Sequence, residues 1–491
     1  MFAKTRLNAL TLYRIINEIG DFIMYRILIF ILSFGFCQNI IYNDFFTDNT
    51  LRFDYFHSGV ADVEHISLDE FRLEHAWAGS KTNLIDDMHL GLYRFEVIDV
   101  ETNKLIYAYA FASIFGEWQT TGEATDSVWR TFHESQRFPE PKQPFRLILK
   151  KRNPDGTYEI IYSSEHDPAS RFVNRSPVEN SNKVWKIFNN GSPENKVDIL
   201  ILGDGYRKED VKKFTKDTKH LVGVMFDTEP FKLRKSDFNV WAINVFSDEK
   251  GISNPRQNIW KKSALDLRFN SFDSDRYVLT SANKKLREIA AQAPYDAIII
   301  IFNDPKYGGG GIYNLYSTVS SHSRDADHIF VHEFGHSFAS LADEYYISNV
   351  AYQVSLPQYE PNSPNITALF DPDNLKWKHL VEESTPIPTP WGQAVYDSIA
   401  IVYQQNRKDL IEAGASIIEM DSLSKDFKQL TNSLVKSQKY YGKVGVFEGG
   451  GYLAKGLYRP EIECIMLSFN RSDYCAVCRD AIKTMIDWYV K

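Results

Sequence analysis

The spacing of apolar and polar positions divides the chain into stretches of different period. Between residues 40 and 165, short apolar runs alternate with polar positions: Leu51 to Phe56, Gly91 to Val100, Lys104 to Ala112 and Phe145 to Lys150. Turn residues separate the runs, with Asn153-Pro154-Asp155-Gly156 between two of them. Alternation broken by such turns predicts an antiparallel all-β sandwich over 40–165. It carries no catalytic constellation and reads either as a binding module or as a spacer. Residues 166–194 are rich in Ser, Asn, Pro and charge, lack periodicity, and read as a linker.

From Val197 the period changes. Val197 to Leu202, Phe238 to Val245 and Asp296 to Phe302 are continuous apolar runs, and helical patterns occupy Lys208 to Met225 and Lys284 to Gln292. Buried strands alternating with helices predict a mainly parallel sheet, so residues 195–491 read as one mixed α+β or α/β catalytic layer. Gly203-Asp204-Gly205 follows the first strand but lacks a third glycine, which argues against a dinucleotide fold. Tyr307 to Ile312, with four consecutive glycines, reads as a flexible loop, and Tyr313 to Ser320 as an edge strand. A proline-rich irregular region follows Tyr346, then a helical stretch from Gln404 to Lys439 and a final helix from Cys478 to Val490.

Chemistry enters at His332-Glu333-Phe334-Gly335-His336. Residues four apart share one face of a helix, so His332 and His336 can direct two imidazoles at one zinc ion. Glu333 then takes the proton of a water in the open fourth position, and the hydroxide can attack a peptide carbonyl. A third ligand is needed, and Asp343 and Glu344 follow closely. In a continuous helix Asp343 would sit roughly 10 Å further along the axis, so the helix has to end or bend soon after His336. Asp343 is favoured as the ligand, with Glu344 hydrogen-bonding a ligating histidine. The opposite assignment and a distant Glu448 are the alternatives.

Composition adds bounds. The chain has 491 residues, 43% hydrophobic and 24% charged, with a net charge of −8. There is no basic stripe and no nucleic-acid motif, so no nucleic-acid partner is expected. Met24-Tyr25-Arg26 and the apolar run Ile27 to Phe36 read as an export signal cut before Gln38, with residues 1–23 as an upstream extension. A lipid anchor on Cys37 ranks second, because Phe36 is bulky, and a retained anchor helix third. Cleavage leaves Cys464, Cys475 and Cys478. They permit one disulfide, half of a structural zinc site or a redox pair, with a local structural role preferred. Nothing in the sequence sets an oligomeric state.

Together these stretches resemble the IgA-peptidase family of bacterial zinc metallopeptidases. The resemblance rests on Leu202-Gly203-Asp204-Gly205-Tyr206, Tyr307-Gly308-Gly309, His332 to Tyr345, Pro364-Asn365-Ile366-Thr367, Val444 to Tyr452, Tyr458-Arg459-Pro460, Cys464-x-Met466 and Tyr474-Cys475-x-x-Cys478. It covers about residues 195–491, and the β module is similar to the family's N-terminal domain. It implies a zincin-like catalytic domain, zinc as cofactor, protein or peptide substrates, and an exported bacterial protein, whether secreted, periplasmic or at the cell surface. It does not imply immunoglobulin A as substrate. The family is similar to metzincins, which place a methionine turn beneath the zinc, and Met466 is the counterpart here. Where metzincins carry a glycine and a third ligand, this chain has Ala339 and Ala342. Tyr474 lies farther past Met466 than the usual oxyanion-stabilising tyrosine. The competing reading is a catalytically inactive peptidase-like surface protein that binds protein or glycan through the β-sandwich.

Overall fold

Two packed sheets build the first layer. A computed structural model of the chain describes residues 40–346, 355–413, 415, 417–469 and 471–490. The stretch expected to be an export signal, with Cys37, lies outside the described residues. Eight strands, β1 (Phe46–Gly59), β2 (Glu64–Ala76), β3 (Tyr93–Asp99), β4 (Leu105–Phe111), β5 (Arg130–Pro141), β6 (Phe145–Arg152), β7 (Tyr158–His166) and β8 (Val173–Asn174), form two four-stranded sheets. Their orders are β5-β1-β2-β8 and β4-β3-β6-β7, antiparallel except for the short β2–β8 pair. The Asn153 to Gly156 turn forms as expected, Gly156 N–H donating to the Asn153 carbonyl at 2.9 Å between β6 and β7. Two short helices, α1 (Ile114–Trp118) and α2 (Gly122–Thr125), connect β4 to β5.

The stretch 166–194 is not a bare linker. Besides β8 it contains β9 (Val184–Phe188), which pairs antiparallel with the next layer. That layer is a six-stranded sheet of order β13-β14-β12-β10-β11-β9, from β10 (Val197–Asp204), β11 (Phe238–Asn244), β12 (Ala297–Phe302), β13 (Gly309–Ile312) and β14 (Tyr316–Ser320). The four central strands are parallel, as the apolar runs predict.

Period-2 alternation assigns the two faces of this sheet. Ile199, Ile201, Val240, Ala242, Ile299 and Ile301 face one core, shared with α3 (Val211–Asp227), α5 (Ala326–Ala339) and α8 (Ala476–Val490). Leu200, Leu202, Trp241, Ile243, Ile298 and Ile300 face the other, shared with α4 (Asn283–Ala290). α6 (Gln393–Glu412) and α7 (Ile417–Lys436) fill the helical stretch expected before residue 440, and β15 (Phe447–Gly450) and β16 (Leu453–Arg459) form a hairpin. Among the described residues no helix is long and apolar enough to cross a membrane.

Polar contacts hold the sandwich against the α/β layer. Buried Arg52 bonds Asp54 at 2.8 Å and Glu74 at 2.7 Å, and reaches Glu288 of α4 at 2.6 Å. Asn283 of α4 donates to Ser135 at 2.7 Å, and Arg137 to the Tyr295 carbonyl at 3.1 Å. Residues 45–491 form one compact unit.

The glycine run corrects the expected loop: Gly309 to Ile312 is itself the edge strand, and β14 lies inside the sheet. A Cβ on Gly311 would lie 2.4 Å from the Glu333 carbonyl oxygen and 2.9 Å from His336 Cβ. The glycines let the strand lie flush against α5. Gly309 also exchanges backbone bonds with Arg276 and Val278, both at 3.1 Å. At Gly309 this sheet edge therefore already has backbone partners.

Candidate metal centre

Helix α5 forms because Ile329, Phe330, Phe334 and Phe338 bury one side of it, at about 1.5–3 kcal/mol per large apolar side chain. That outweighs the roughly 1 kcal/mol cost of Gly335 inside a helix. The glycine is required, because a Cβ there would lie 3.0 Å from the Tyr474 ring. The helix ends where the third-ligand argument requires. Ser340 adopts the left-handed conformation (φ 52°, ψ 30°), and its N–H bonds back to the His336 carbonyl at 3.1 Å.

The chain then returns past the histidines and is held there. Asn365 receives the Ala342 N–H at 2.8 Å and donates to the Ala342 carbonyl at 2.9 Å. Gly451 N–H donates to the Asp343 carbonyl at 2.9 Å, and the Tyr452 hydroxyl donates to Asp343 Oδ2. Asp343 Oδ1 consequently lies 3.1 Å from His332 Nε2 and 3.3 Å from His336 Nε2.

The two Nε2 atoms are 3.1 Å apart. Both rings are oriented from behind: His332 Nδ1 lies 3.0 Å from the Ile465 carbonyl and His336 Nδ1 2.5 Å from the Leu341 carbonyl. Carbonyls accept only, so each Nδ1 carries a proton and the two Nε2 atoms are turned toward each other. A shared cation, whether a metal ion or a proton, relieves that arrangement. Asp343 Oδ1 is buried and has no hydrogen-bond partner, although both nitrogens are near it. Three lone pairs converging in this way fit a divalent metal ion, with backbone carbonyls holding the imidazoles in the ligating tautomer. A proton competes for the same place. Burial lowers the His336 pKa, but the Asp343 carboxylate outweighs it and lifts it to about 9.

The centre opens into a cleft of about 390 Å³. Glu333 lines it, its carboxyl raised above the usual range by burial. Arg276 projects into the cleft and donates to Tyr345 Oη at 2.9 Å and Tyr307 Oη at 3.3 Å. The β module adds to the lining: Ser113, Gly116 and Glu117 of the α1 region face the cleft. Burial pushes the Glu117 carboxyl up to about 7, against a hydrogen bond from the Tyr277 hydroxyl.

Residues 186–486 match a sequence family described as IgA Peptidase M64. The chain belongs to that family. Residues 41–163 match the domain described as Peptidase M64 N-terminus, so the module that supplies Glu117 is the M64 N-terminal domain. By family the protein is a metallopeptidase acting on protein or peptide substrates. No curated protein matches the chain.

Within this M64 member, His332, His336 and Asp343 come together, and Glu333 lines the same cleft. Glu344 does not hydrogen-bond His332 or His336. It points the other way, to Asn365 and to Cys478. Glu448 is paired with Lys455 at 2.7 Å in the β15–β16 hairpin, away from the cleft lining. Met466 is fully buried in the turn where Leu467 N–H bonds the Cys464 carbonyl at 3.0 Å, next to the Ile465 carbonyl that orients His332. Tyr474 donates to the Val331 carbonyl at 2.5 Å under the helix, which leaves it no part in binding an oxyanion. Sequence reasoning did not find Glu117, Arg276 or the roles of Asn365 and Tyr452. The last two lie in segments noted for their resemblance, Pro364 to Thr367 and Val444 to Tyr452.

Proposed function

We propose that this chain is a zinc-dependent peptidase of zincin-like fold, with His332, His336 and Asp343 as metal ligands and Glu333 as general base. Bound zinc would supply Lewis acidity, polarising a carbonyl and lowering the pKa of a coordinated water to about 7. The observation that carries this reading is the convergence of Asp343 Oδ1 and two Nε2 lone pairs, all within 3.3 Å of one another. Glu333 follows His332 directly and faces the same cleft, where burial raises its proton affinity, as suits a group that takes up a proton. Arg276 brings a half-buried cation to that cleft for the negative charge that develops on the carbonyl oxygen. The intact Glu333 disfavours the inactive binding protein, which has no chemical use for it.

Glu333→Gln keeps size and removes basicity. It is expected to lower turnover of a mixed protein substrate about 10²- to 10⁴-fold, with metal content unchanged. Wild-type turnover by the variant at full metal occupancy would refute the assignment. Export is part of the same proposal: sequencing of the mature chain should begin at Gln38, and a mature chain still carrying Met24 would rule that cleavage out.

A further inference from the structure

Directly behind Asp343 the fold buries a second set of metal-binding side chains. Glu344, Cys464, Cys475 and Cys478 each offer one ligand atom, and the four atoms lie within 4.8 Å of one another. Glu344 comes from the return after α5, Cys464 from the turn that carries Met466, Cys475 from just before α8 and Cys478 from its first turn.

The separations have the size of a coordination shell. Cys464 Sγ lies 3.8 Å from Cys478 Sγ. Glu344 Oε1 lies 3.2 Å from Cys478 Sγ and 3.9 Å from Cys475 Sγ. A tetrahedral zinc with Zn–S of about 2.3 Å and Zn–O of about 2.0 Å has S–S edges of about 3.8 Å and S–O edges of about 3.5 Å. The observed S–S distance falls on the first value and the two S–O distances straddle the second.

Two further features point to a cation. Glu344 has no solvent exposure; its Oε1 accepts from the neutral Asn365 amide at 3.0 Å, and its Oε2 has no hydrogen-bond partner. A buried carboxyl left this way is costly unless something positive meets it. Backbone N–H groups are also aimed at sulfur, Cys475 N–H at Cys464 Sγ (3.2 Å) and Cys478 N–H at Cys475 Sγ (3.4 Å). Together with the N-terminus of α8 they favour the thiolate form that a metal requires.

We propose that Glu344, Cys464, Cys475 and Cys478 form a second, closed metal site of the structural zinc type. Three thiolates and one carboxylate around a dication leave the same net charge as a four-cysteine zinc site. The site ties together two segments that shape the catalytic centre. Glu344 immediately follows Asp343, and Cys464 immediately precedes Ile465, whose carbonyl holds His332. The inference stands on these four residues and does not depend on the role given to Glu333.

The test is metal stoichiometry and spectroscopy on the full chain. The zinc-loaded, desalted protein is expected to hold two zinc ions per chain, and the His332→Ala/His336→Ala variant one. Reconstituted with cobalt(II), that histidine variant should show sulfur-to-cobalt charge-transfer absorption, which a nitrogen–oxygen site cannot produce. Cys475→Ser in the same background should remove the remaining ion. Because the cobalt signal is read with all cysteines present, the proposal does not depend on the serine variant folding. One zinc per wild-type chain, with none and no sulfur absorption in the histidine variant, overturns it. So does a Cys464–Cys478 disulfide found by mass mapping of the metal-loaded chain, since it consumes two of the thiolates. An inactive protein holding both ions would count against the catalytic reading and leave this one standing.

Discussion

Asn365 grips Ala342 through both ends of its peptide unit, accepting the N–H at 2.8 Å and donating to the carbonyl at 2.9 Å. The amide acts as a splint across the residue before Asp343, fixing a segment with no regular structure of its own. Asn365→Ala removes both bonds and, with them, the amide's third bond, to Glu344 Oε1. Metal affinity at the His332–His336–Asp343 centre is expected to fall about 10- to 100-fold, as for other groups that position a ligand. Competition with a chelator of known affinity measures it, with the four-ligand cluster counted separately in a His332→Ala/His336→Ala background. Unchanged affinity would mean that Tyr452 and Gly451 alone hold Asp343 in place.

Gly311 predicts a steric effect. A methyl group there would meet the Glu333 carbonyl oxygen at 2.4 Å, and that atom is helix backbone that cannot step aside. Gly311→Ala should push β13 off α5 and destabilise the fold by about 1–3 kcal/mol. A lowered Tm with reduced activity is the expected result. A fully stable, fully active variant would contradict the packing described here.

How far the sequence reaches can be traced through single residues. His332 and His336 were legible because their relation is local, four residues on one helix face. That the helix must break before Asp343 followed from rise per residue alone, and Ser340 supplies the break. The choice between Asp343 and Glu344 was not open to spacing. Neighbours in a non-helical segment point to opposite sides, so one turns to the histidines and the other to the cysteines, and only the geometry of the return decides which. The glycine edge strand was misread because glycine has low strand propensity, while here the absence of a side chain is what the packing requires. Glu117 and Arg276 are distant in sequence from the motif and belong to no periodic pattern, so nothing local marks them.

Glu117 makes the β module part of the cleft. The residue lines the same cleft as His332, His336 and Asp343, its carboxyl accepting from the Tyr277 hydroxyl. Glu117→Gln keeps the shape and removes the charge. A hydrogen bond to a charged group contributes about 1.5–3 kcal/mol, so in solution alkaline enough to ionise a carboxyl raised to about 7, selectivity for a basic over a neutral side chain in paired peptides should shift roughly 10- to 100-fold in kcat/KM. Metal content should not change. An equal loss on both peptides would remove Glu117 as a selectivity residue.

His57 links the stability of this module to pH. Its Nε2 lies 2.8 Å from Glu64 Oε2, and its Nδ1 lies 3.1 Å from Glu134 Oε2. Burial alone would lower its pKa, but the two carboxylates, Glu134 foremost, outweigh it and raise the pKa above 6.5. The folded chain therefore keeps a proton that the unfolded chain gives up above 6.5. That contribution is complete below the unfolded value and is lost as pH rises through the folded one. The imidazole also stacks on Phe115 at 3.9 Å, and Glu134 Oε1 accepts the Phe115 N–H at 3.1 Å, so losing the charge loosens α1 and the Glu117 it carries. His57→Gln should be less stable than wild type by about 1.5–3 kcal/mol in mildly acid solution, where the charged bonds are intact. The gap should narrow steadily as the solution is made alkaline. Calorimetric Tm values for both proteins across that range provide the check, and a gap that stays constant with pH would mean that His57 is not charged in the fold.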